Sequence, residues 1–158
     1  MEHANFQELK ELDLGINKIS DIKVLEKVKL DKLEILNLHS NEVSDINSLE
    51  NVNFKELKEL YLRNNNIIEI KVLEKVKFNK LEKLDLYGNE ISNINFLENI
   101  NFIELKELDL RNNDISEINV LDTVKFNKLE KLDLSGNKID KKKYSAIINT
   151  LKKRNINI

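Results

Sequence analysis

Residues 59–67 read ELYLRNNNI, and variants of this stretch recur along the whole chain. Leu60 and Leu62 are two positions apart, so on a β-strand both side chains point to the same face. Tyr61 and Arg63 then point to the opposite face. The three asparagines that follow interrupt the alternation. The stretch therefore predicts a short strand that ends in a turn. Comparison of its copies distinguishes positions that stay the same in every copy, which the fold requires, from positions that vary.

The copies are spaced by 24 residues without slippage. Six repeats, numbered 1 to 6 below, begin near an apolar column formed by Phe6, Leu30, Phe54, Phe78, Phe102 and Phe126. The first leucine of each alternating pair is Leu12, Leu36, Leu60, Leu84, Leu108 or Leu132. An asparagine column follows at Asn17, Asn41, Asn65, Asn89, Asn113 and Asn137. Such a period is typical of solenoids, in which each unit buries its apolar face against its neighbours.

Beyond the asparagine column the apolar spacing changes to three, as in Ile67, Ile70, Leu73 and Val76. This spacing favours a 3₁₀ or short helical segment with one buried edge. We expect the segments to be capped by Ser20, Ser44, Ser92 and Ser116. Identical crossovers make all strands parallel, so strands form one side of the solenoid and helical segments the other.

The unit LxxLxLxxNxIxxIxxLxxVxFxx resembles the leucine-rich repeat family over nearly the whole chain. Within the family it is most similar to the short repeats of internalins and of a regulatory subunit of protein phosphatase 1. The resemblance implies an α/β fold: a curved solenoid with a parallel β-sheet on the concave face, short 3₁₀ or helical segments on the convex face and a C-terminal capping helix. We expect residues 1–158 to form a single domain.

The two ends of the chain differ. Asp140 is expected to N-cap a helix that begins at residue 141. An apolar stripe on that helix is formed by Tyr144, Ile147, Ile148 and Leu151. The stripe would cover the last repeat, so residues 140–158 are predicted to be a C-terminal cap, with the terminal NINI as a final strand. No comparable cap precedes Phe6, which leaves open a fragment of a longer protein or self-association through the first repeat.

Charges alternate between repeats in two columns. The first column is Glu8, Lys32, Glu56, Lys80, Glu104 and Lys128. The second has the opposite order, Lys10, Glu34, Lys58, Glu82, Lys106 and Glu130. Opposite charges on neighbouring strands contribute roughly 0.2–1 kcal/mol per pair, whereas like charges repel. We therefore interpret the alternation as architecture that favours the correct register, not as a functional site.

The asparagine column has a structural interpretation. An asparagine amide both donates and accepts hydrogen bonds, so a stack of them is predicted to bridge successive turns, where buried backbone groups need partners. Asn64 and Asn66 lie in columns that vary between repeats. Of the three consecutive asparagines, only Asn65 is therefore expected to be required by the fold.

Three rows of side chains are predicted to point onto the concave face. The first row is Glu11, Ile35, Glu59, Lys83, Glu107 and Lys131. The second row is Asp13, Asn37, Tyr61, Asp85, Asp109 and Asp133. The third row, the most varied, is Gly15, His39, Arg63, Tyr87, Arg111 and Ser135. Solenoid stability does not demand such variety on a solvent-facing row, whereas recognition does.

The candidate partner-binding residues are Asn37, His39, Tyr61, Arg63, Asp85, Tyr87, Asp109 and Arg111. Tyrosine and arginine are enriched at binding hot spots, and the resemblance implies protein binding through the concave face. The leading prediction is a non-enzymatic module that binds another protein or a peptide. The alternatives are a structural or engineered scaffold without an intrinsic ligand, and the recognition domain of a larger multidomain protein. A third interpretation of these side chains is that Tyr and Arg cover strand backbone and pair with Asp85 or Asp109.

Other chemistries have little support. Asp85, Asp109 and Asp133 stack on adjacent strands, and a divalent cation would relieve their repulsion. Neighbouring cations such as Arg111 would relieve it too, so no metal or other cofactor is predicted. His39 and Ser40 are adjacent and would point opposite ways on a strand, so they do not form a nucleophile–base pair.

Composition restricts the partner and the compartment. The net charge of −2 argues against a dedicated nucleic-acid binder. No apolar run is long enough to cross a membrane. The absence of cysteine excludes disulfides and thiolate sites. No signal peptide is visible, so a cytoplasmic location is predicted unless the chain is a fragment of a longer secreted or surface protein.

Overall fold

The structure, a computed structural model, describes residues 6–154. Its sheet has one three-residue strand per repeat: β1 (Glu11–Asp13), β2 (Ile35–Asn37), β3 (Glu59–Tyr61), β4 (Lys83–Asp85), β5 (Glu107–Asp109) and β6 (Lys131–Asp133). The strands follow the order of the sequence and every neighbouring pair is parallel. The predicted parallel sheet is confirmed.

The register places equivalent residues of successive repeats side by side. Leu60 pairs with Leu36 on one neighbour and Leu84 on the other, and Tyr61 pairs with Asn37 and Asp85. Sheet-like hydrogen bonds continue beyond the strand ends. As a result, each predicted row runs straight across the sheet.

Short helices form the other side of the solenoid, as predicted. Four 3₁₀ helices span Lys23–Lys27, Asn47–Glu50, Lys71–Glu74 and Asn95–Glu98, and α1 spans Val120–Thr123. The residues spaced by three in repeat 3, Ile67, Ile70, Leu73 and Val76, are all buried. No helix within residues 6–154 is long and apolar enough to span a membrane.

The prediction that serines cap these helices is wrong. The 3₁₀ helix after Ser20 begins at Lys23, whose N–H donates to Asp21 Oδ1 across 2.8 Å. Asp45 and Asn93 accept equivalent bonds in repeats 2 and 4. The acceptor is therefore the residue after the serine, because an Asp or Asn side chain reaches the N–H two residues ahead in an Asx turn.

The C-terminal helix is present but begins later than predicted. Asp140 Oδ1 accepts the N–H groups of Lys142 and Lys143, at 2.9 and 3.1 Å, and so closes a turn over residues 141–144. The helix itself, α2, spans Ser145–Lys153. Tyr144 and Leu151 of the predicted stripe are buried, Ile147 and Ile148 pack against the core partly buried, and α2 contacts α1 of repeat 5. The predicted strand at 155–158 lies outside the described residues.

The core is a continuous stack of the apolar columns. Phe54 and Phe78 stack with ring centroids 6.2 Å apart, at an angle of 17°. In repeat 1, Leu12 and Leu14 are only partly buried, whereas Leu36 and Leu38 of repeat 2 are fully buried. Each repeat is therefore covered by its neighbours, as in other solenoids.

The asparagine column links the turns of successive repeats. Asn65 Nδ2 donates to the carbonyls of Leu38 and Leu62, both across 3.0 Å, and Asn65 Oδ1 accepts the N–H of Val43 across 3.0 Å. The same three-way pattern is made by Asn41, Asn89, Asn113 and Asn137. Asn17, in repeat 1, donates only within its own repeat.

The residue before each of these asparagines has a left-handed backbone. Positive φ angles between 51° and 73° occur at Ile16, Ser40, Asn64, Gly88, Asn112 and Gly136. Asn64 suits this conformation, which favours Asn and Gly, although Ile16 and Ser40 adopt it at the equivalent positions of repeats 1 and 2. A Cβ at Gly88 would also lie 2.5 Å from Asn64 Oδ1, so glycine makes room for the amide of the preceding repeat.

The alternating charges form ion pairs between repeats. Six of the ten neighbouring pairs in the two columns approach within 4 Å, at distances of 2.5 to 3.3 Å. Glu34 is contacted from both sides, by Lys10 at 3.0 Å and by Lys58 at 2.5 Å. Most of the other charges pair with one neighbour only, because one ammonium group reaches one adjacent carboxylate at a time.

Candidate binding surface on the concave face

The structure brings most of the candidate residues into one groove across β2 to β6. The groove has a volume of about 340 Å³, and seven of the eight candidates line it: Asn37, His39, Tyr61, Arg63, Asp85, Asp109 and Arg111. Sequence reasoning missed Lys83, Glu107 and Lys131, which also line it. These three belong to the first row, from which no candidate residue was chosen.

A larger cleft of about 600 Å³ lies away from this face, between repeats 5 and 6, and Phe102, Ile103 and Phe126 are among its lining residues. Its lining residues lie in residues 97–105 and 123–127, where Phe126 is only partly buried, and none of the candidate residues is among them.

The second row has a structural role in five of the six repeats. Asp85 Oδ1 accepts the N–H of Tyr87 across 3.1 Å, and Asp109 Oδ1 accepts the N–H of Arg111 across 3.0 Å. The equivalent bond is accepted by Asp13, Asn37 and Asp133. Each of these side chains closes an Asx turn at the end of its strand. The fold therefore accounts for Asp and Asn in this row without any ligand.

Tyr61 is the exception in the second row. A tyrosine cannot reach back to accept the N–H two residues ahead, so the N–H of Arg63 lacks the acceptor that the other repeats provide. The Tyr61 hydroxyl instead donates to Glu59, and Lys83 Nζ lies 5.3 Å from the centre of the Tyr61 ring. Burial, together with the bond to Glu59, raises the pKa of Tyr61 above its ordinary value.

Tyr87 lies between two arginines of the third row. The guanidinium carbons of Arg63 and Arg111 are 5.4 and 5.2 Å from the centre of its ring. Both distances are within the range of a cation–π interaction. Asn112 Nδ2 donates to the Tyr87 hydroxyl across 2.9 Å. Asn112 was not among the candidate residues. Its position directly before the asparagine column, equivalent to that of Asn64, is the sequence feature that could have identified it.

Arg111 is paired with carboxylates of the second row. Its Nε lies 3.0 Å from both carboxylate oxygens of Asp109, and its Nη2 lies 2.5 Å from Oδ2. Asp133 is 3.5 Å from the same Nε. Burial alone would raise the pKa of Asp109, but the hydrogen bonds from Arg111 hold that pKa below its ordinary value. Arg111 thus contacts two of the three stacked aspartates and offsets one of their two charges.

Asp85, the third stacked aspartate, is buried, with 7% of its surface exposed. Burial raises its pKa and the charge of Asp109 adds to the shift, while the N–H of Tyr87 opposes it. Within residues 6–154, no group of three or more His, Asp or Glu side chains is arranged to hold a metal ion. Positive charge beside the aspartates comes from Arg111, which contacts Asp109 and Asp133, and from Arg63 and Lys83 near Asp85.

His39 leans toward repeat 1, away from Arg63. A Cβ at Gly15 would lie 2.6 Å from His39 Nε2, so the missing side chain of Gly15 makes room for the imidazole. Ser40, the neighbour of His39, has a φ of 53° and belongs to the left-handed column. The imidazole of His39, in the preceding repeat, therefore does not fill the part of the groove beside Arg63.

Comparison with known proteins identifies the fold. Residues 7–51, 55–99 and 103–145 each match a model described as leucine-rich repeats in two copies. No curated protein sequence matches the chain. Among solved structures, an internalin (inlF) from Listeria monocytogenes is similar over 95% of this chain and 40% of its own, with 29% identity and a TM-score of 0.77.

Two further structures extend the comparison. A leucine-rich repeat protein of Leptospira interrogans is similar over 96% of this chain and 49% of its own, with 22% identity and a TM-score of 0.63. The ectodomain of the Arabidopsis thaliana receptor kinase GASSHO1/SCHENGEN3, solved in complex with CASPARIAN STRIP INTEGRITY FACTOR 2, covers 84% of this chain at 26% identity, with a TM-score of 0.65.

This chain spans 16% of the plant ectodomain and less than half of the two bacterial proteins. The matched segments, by contrast, account for most of the chain and coincide with the repeats seen in sequence and structure. The chain belongs to the leucine-rich repeat family.

Proposed function

We propose that this chain is a non-enzymatic module that binds another protein or a peptide through its concave face. The observation that carries the proposal is Tyr61. In the other five repeats the same position holds an Asp or Asn that closes the turn after the strand. Repeat 3 lacks that hydrogen bond, and the partly buried aromatic ring of Tyr61 lines the groove instead.

Neighbouring side chains support the proposal. The side chains of Arg63 and Tyr87 stack against each other beside Tyr61, and only the backbone carbonyls of these two residues bond to the asparagine column. Tyrosine and arginine supply large contact areas with polar tips, and for this reason they dominate binding hot spots. A cluster of three such side chains on adjacent strands fits recognition better than simple coverage of the sheet.

The comparison with the plant ectodomain also supports this function, because that leucine-rich repeat structure was solved with a bound partner. The small share of the similar proteins that this chain covers favours a second candidate, in which it is the recognition part of a larger protein. Both candidates use the same groove and make the same prediction about Tyr61.

The test is selection of binders from a displayed library of random linear dodecapeptides. We expect enriched peptides that bind the wild type and lose binding to the double variant Tyr61→Ala with Tyr87→Ala, while the melting temperature changes by a few degrees at most. The control is Lys29→Ala with Glu69→Ala, two exposed residues outside the groove.

If the enriched peptides bind the double variant as well as the wild type, the concave face is not the binding surface. If no peptide is enriched, the interpretation as a scaffold without a ligand is correct instead.

A further inference from the structure

Arg63 and Arg111 occupy equivalent positions in repeats 3 and 5, and their guanidinium carbons lie 5.4 and 5.2 Å from the centre of the Tyr87 ring. Their carboxylate contacts differ. Arg111 is held by Asp109, at 3.0 Å through Nε and 2.5 Å through Nη2. Among residues 6–154, Arg63 forms no ion pair and no side-chain hydrogen bond. The guanidinium of Arg111 in repeat 5 is therefore neutralised by a carboxylate. The guanidinium of Arg63, at the equivalent position in repeat 3, has N–H donors without an acceptor among the described residues.

The difference follows from a single position in the sequence. The residue two places before Arg111 is Asp109, whereas the residue two places before Arg63 is Tyr61. Replacing the aspartate of this row by tyrosine removes the carboxylate that would otherwise pair with the arginine of the same repeat. The tyrosine at 61 thus leaves Arg63 exposed and unpaired at the centre of the groove.

The surroundings of Arg63 hold it in position without neutralising it. Tyr87 supports one face of the guanidinium at 5.4 Å, and His39 leans away toward Gly15. A guanidinium has five N–H donors in a planar fork that matches the two oxygens of a carboxylate. An arginine already stacked on a ring loses less conformational entropy when it binds such a group.

We propose that the groove binds an acidic side chain, Asp or Glu, of a partner peptide, and that its carboxylate contacts Arg63 as Asp109 contacts Arg111. The proposal rests on the proposed function and names the chemistry of its partner. The partner supplies the carboxylate that repeat 3 lacks. Charge-assisted bonds of this kind are among the strongest in protein recognition.

The charges of the groove favour a carboxylate over a phosphate. Lys83, Arg111 and Lys131 line the same groove as the carboxylates of Asp85, Glu107 and Asp109, so these three cationic and three acidic side chains balance and only the charge of Arg63 is left over. The carboxylates include Asp85, which is close enough to Arg63 for the two charges to interact. A doubly charged phosphate would be repelled by these groups more strongly than a singly charged carboxylate. The groove is therefore suited to one negative charge at Arg63, not to a dense cluster of them.

The experiment uses the dodecapeptides selected above, with the full chain as target. We expect the enriched peptides to share an Asp or Glu at one position. Replacing that residue with Gln or Asn should weaken binding roughly tenfold, as expected for loss of a charge-assisted bidentate contact. With Arg63→Gln, the acidic and amide peptides should bind about equally. A phosphoserine peptide should bind the wild type more weakly than the glutamate peptide.

Two controls separate this effect from net charge and from misfolding. Lys138→Gln removes the same charge from an exposed lysine that pairs with Asp114 at 2.7 Å, outside the groove, and should keep the preference for acidic peptides. Tyr61→Asp and Tyr61→Asn differ only in charge. The aspartate should pair with Arg63 within the repeat and reduce the preference further than the asparagine does. Circular dichroism of each variant checks that the sheet is retained.

The outcomes distinguish this inference from the proposed function. If peptides bind through the concave face but share no acidic residue, or if Arg63→Gln keeps the acidic preference, the inference is wrong and the binding function stands. If the phosphoserine peptide binds more tightly than the glutamate peptide, the assignment of a carboxylate is wrong. If no peptide is enriched, both proposals fail together.

Discussion

Asn65 accepts a hydrogen bond from the backbone N–H of Val43, 22 residues earlier in the chain, across 3.0 Å. The same side chain donates to the carbonyls of Leu38 and Leu62. Replacing it with alanine leaves the buried N–H of Val43 without an acceptor, whereas the carbonyls of Leu38 and Leu62 keep the bonds that Asn41 and Asn89 donate to them. We expect Asn65→Ala to lower the free energy of unfolding by about 1–3 kcal/mol, the cost of an unsatisfied buried group. Arg63→Ala, on the exposed face, should cost less, and equal denaturation curves for the two variants would contradict this role.

Ser48 occupies a column that holds apolar side chains in the other helices. The equivalent residues are Val24, Val72, Phe96 and Val120. The Ser48 hydroxyl is buried, and within the described residues it has no hydrogen-bond partner. Ser48→Val should raise the free energy of unfolding by about 1 kcal/mol, because it removes an unpaired polar group and adds buried apolar surface. Ser48→Thr has nearly the same shape but keeps the hydroxyl, so urea denaturation should show the smaller gain for threonine.

Ile16 has a φ of 54° and 77% of its surface is exposed. A β-branched residue is strained in this left-handed region, and four of the other five repeats have Asn or Gly at the same position. Ile16→Asn should therefore stabilise the protein by about 1 kcal/mol. Ile16→Ala removes the exposed side chain but keeps an L-residue with a Cβ, so its melting temperature should stay below that of the Asn variant. The reverse order would mean that the backbone is not the source of strain.

Tyr61→Asn should restore the missing turn closure in repeat 3. The amide oxygen can accept the N–H of Arg63, as Asn37 Oδ1 accepts the N–H of His39 across 3.1 Å. We expect Tyr61→Asn to be more stable than Tyr61→Ala by about 1 kcal/mol, the usual value of one such bond. Thermal unfolding of the two variants measures the difference. Equal melting temperatures would show that repeat 3 does not need the acceptor.

Glu34 makes stability depend on acid pH. Hydrogen bonds from Lys58 and Lys10 lower the pKa of its carboxyl from 4.5 to about 2. Because the folded pKa is lower than the unfolded one, the unfolded state binds more protons in this window, and stability falls as the pH drops from 4.5 to about 2. Glu34→Gln should flatten the dependence of the melting temperature on pH there. Glu90→Gln, a change at an exposed carboxylate without an ion pair in residues 6–154, is the control, and a slope unchanged by Glu34→Gln would contradict the assignment.

The columns of the sequence were enough to predict the sheet and the helical side of the solenoid. Leu60 and its equivalents specify the strand face, and Ile67, Ile70 and Leu73 specify the buried edge of the 3₁₀ helices. Both are periodic patterns of burial, which a sequence displays directly. The ion pairs were predicted for the same reason, since their positions repeat in register.

The errors concern short-range backbone chemistry. The Asx turns closed by Asp85 and Asp109 were not predicted, although Asp or Asn in five of six repeats is a signal for a turn. The column of residues with positive φ was not predicted, because Ile16 and Ser40 occupy the position at which the other four repeats have Asn or Gly. The pairing of Arg111, and the lack of it at Arg63, depends on side-chain geometry that no pattern in one sequence displays.

The ion pairs between repeats also restrict how such a chain can grow. Removing residues 54–77 would place Lys32 beside Lys80 and Glu34 beside Glu82, whereas removing 54–101 would place Lys32 beside Glu104 and Glu34 beside Lys106. The element that can be duplicated or lost without bringing like charges together is therefore a pair of repeats. Duplication of two repeats at a time would lengthen the solenoid and keep opposite charges adjacent. Each new pair of repeats would also add concave surface, whose exposed side chains can change without affecting the ion pairs.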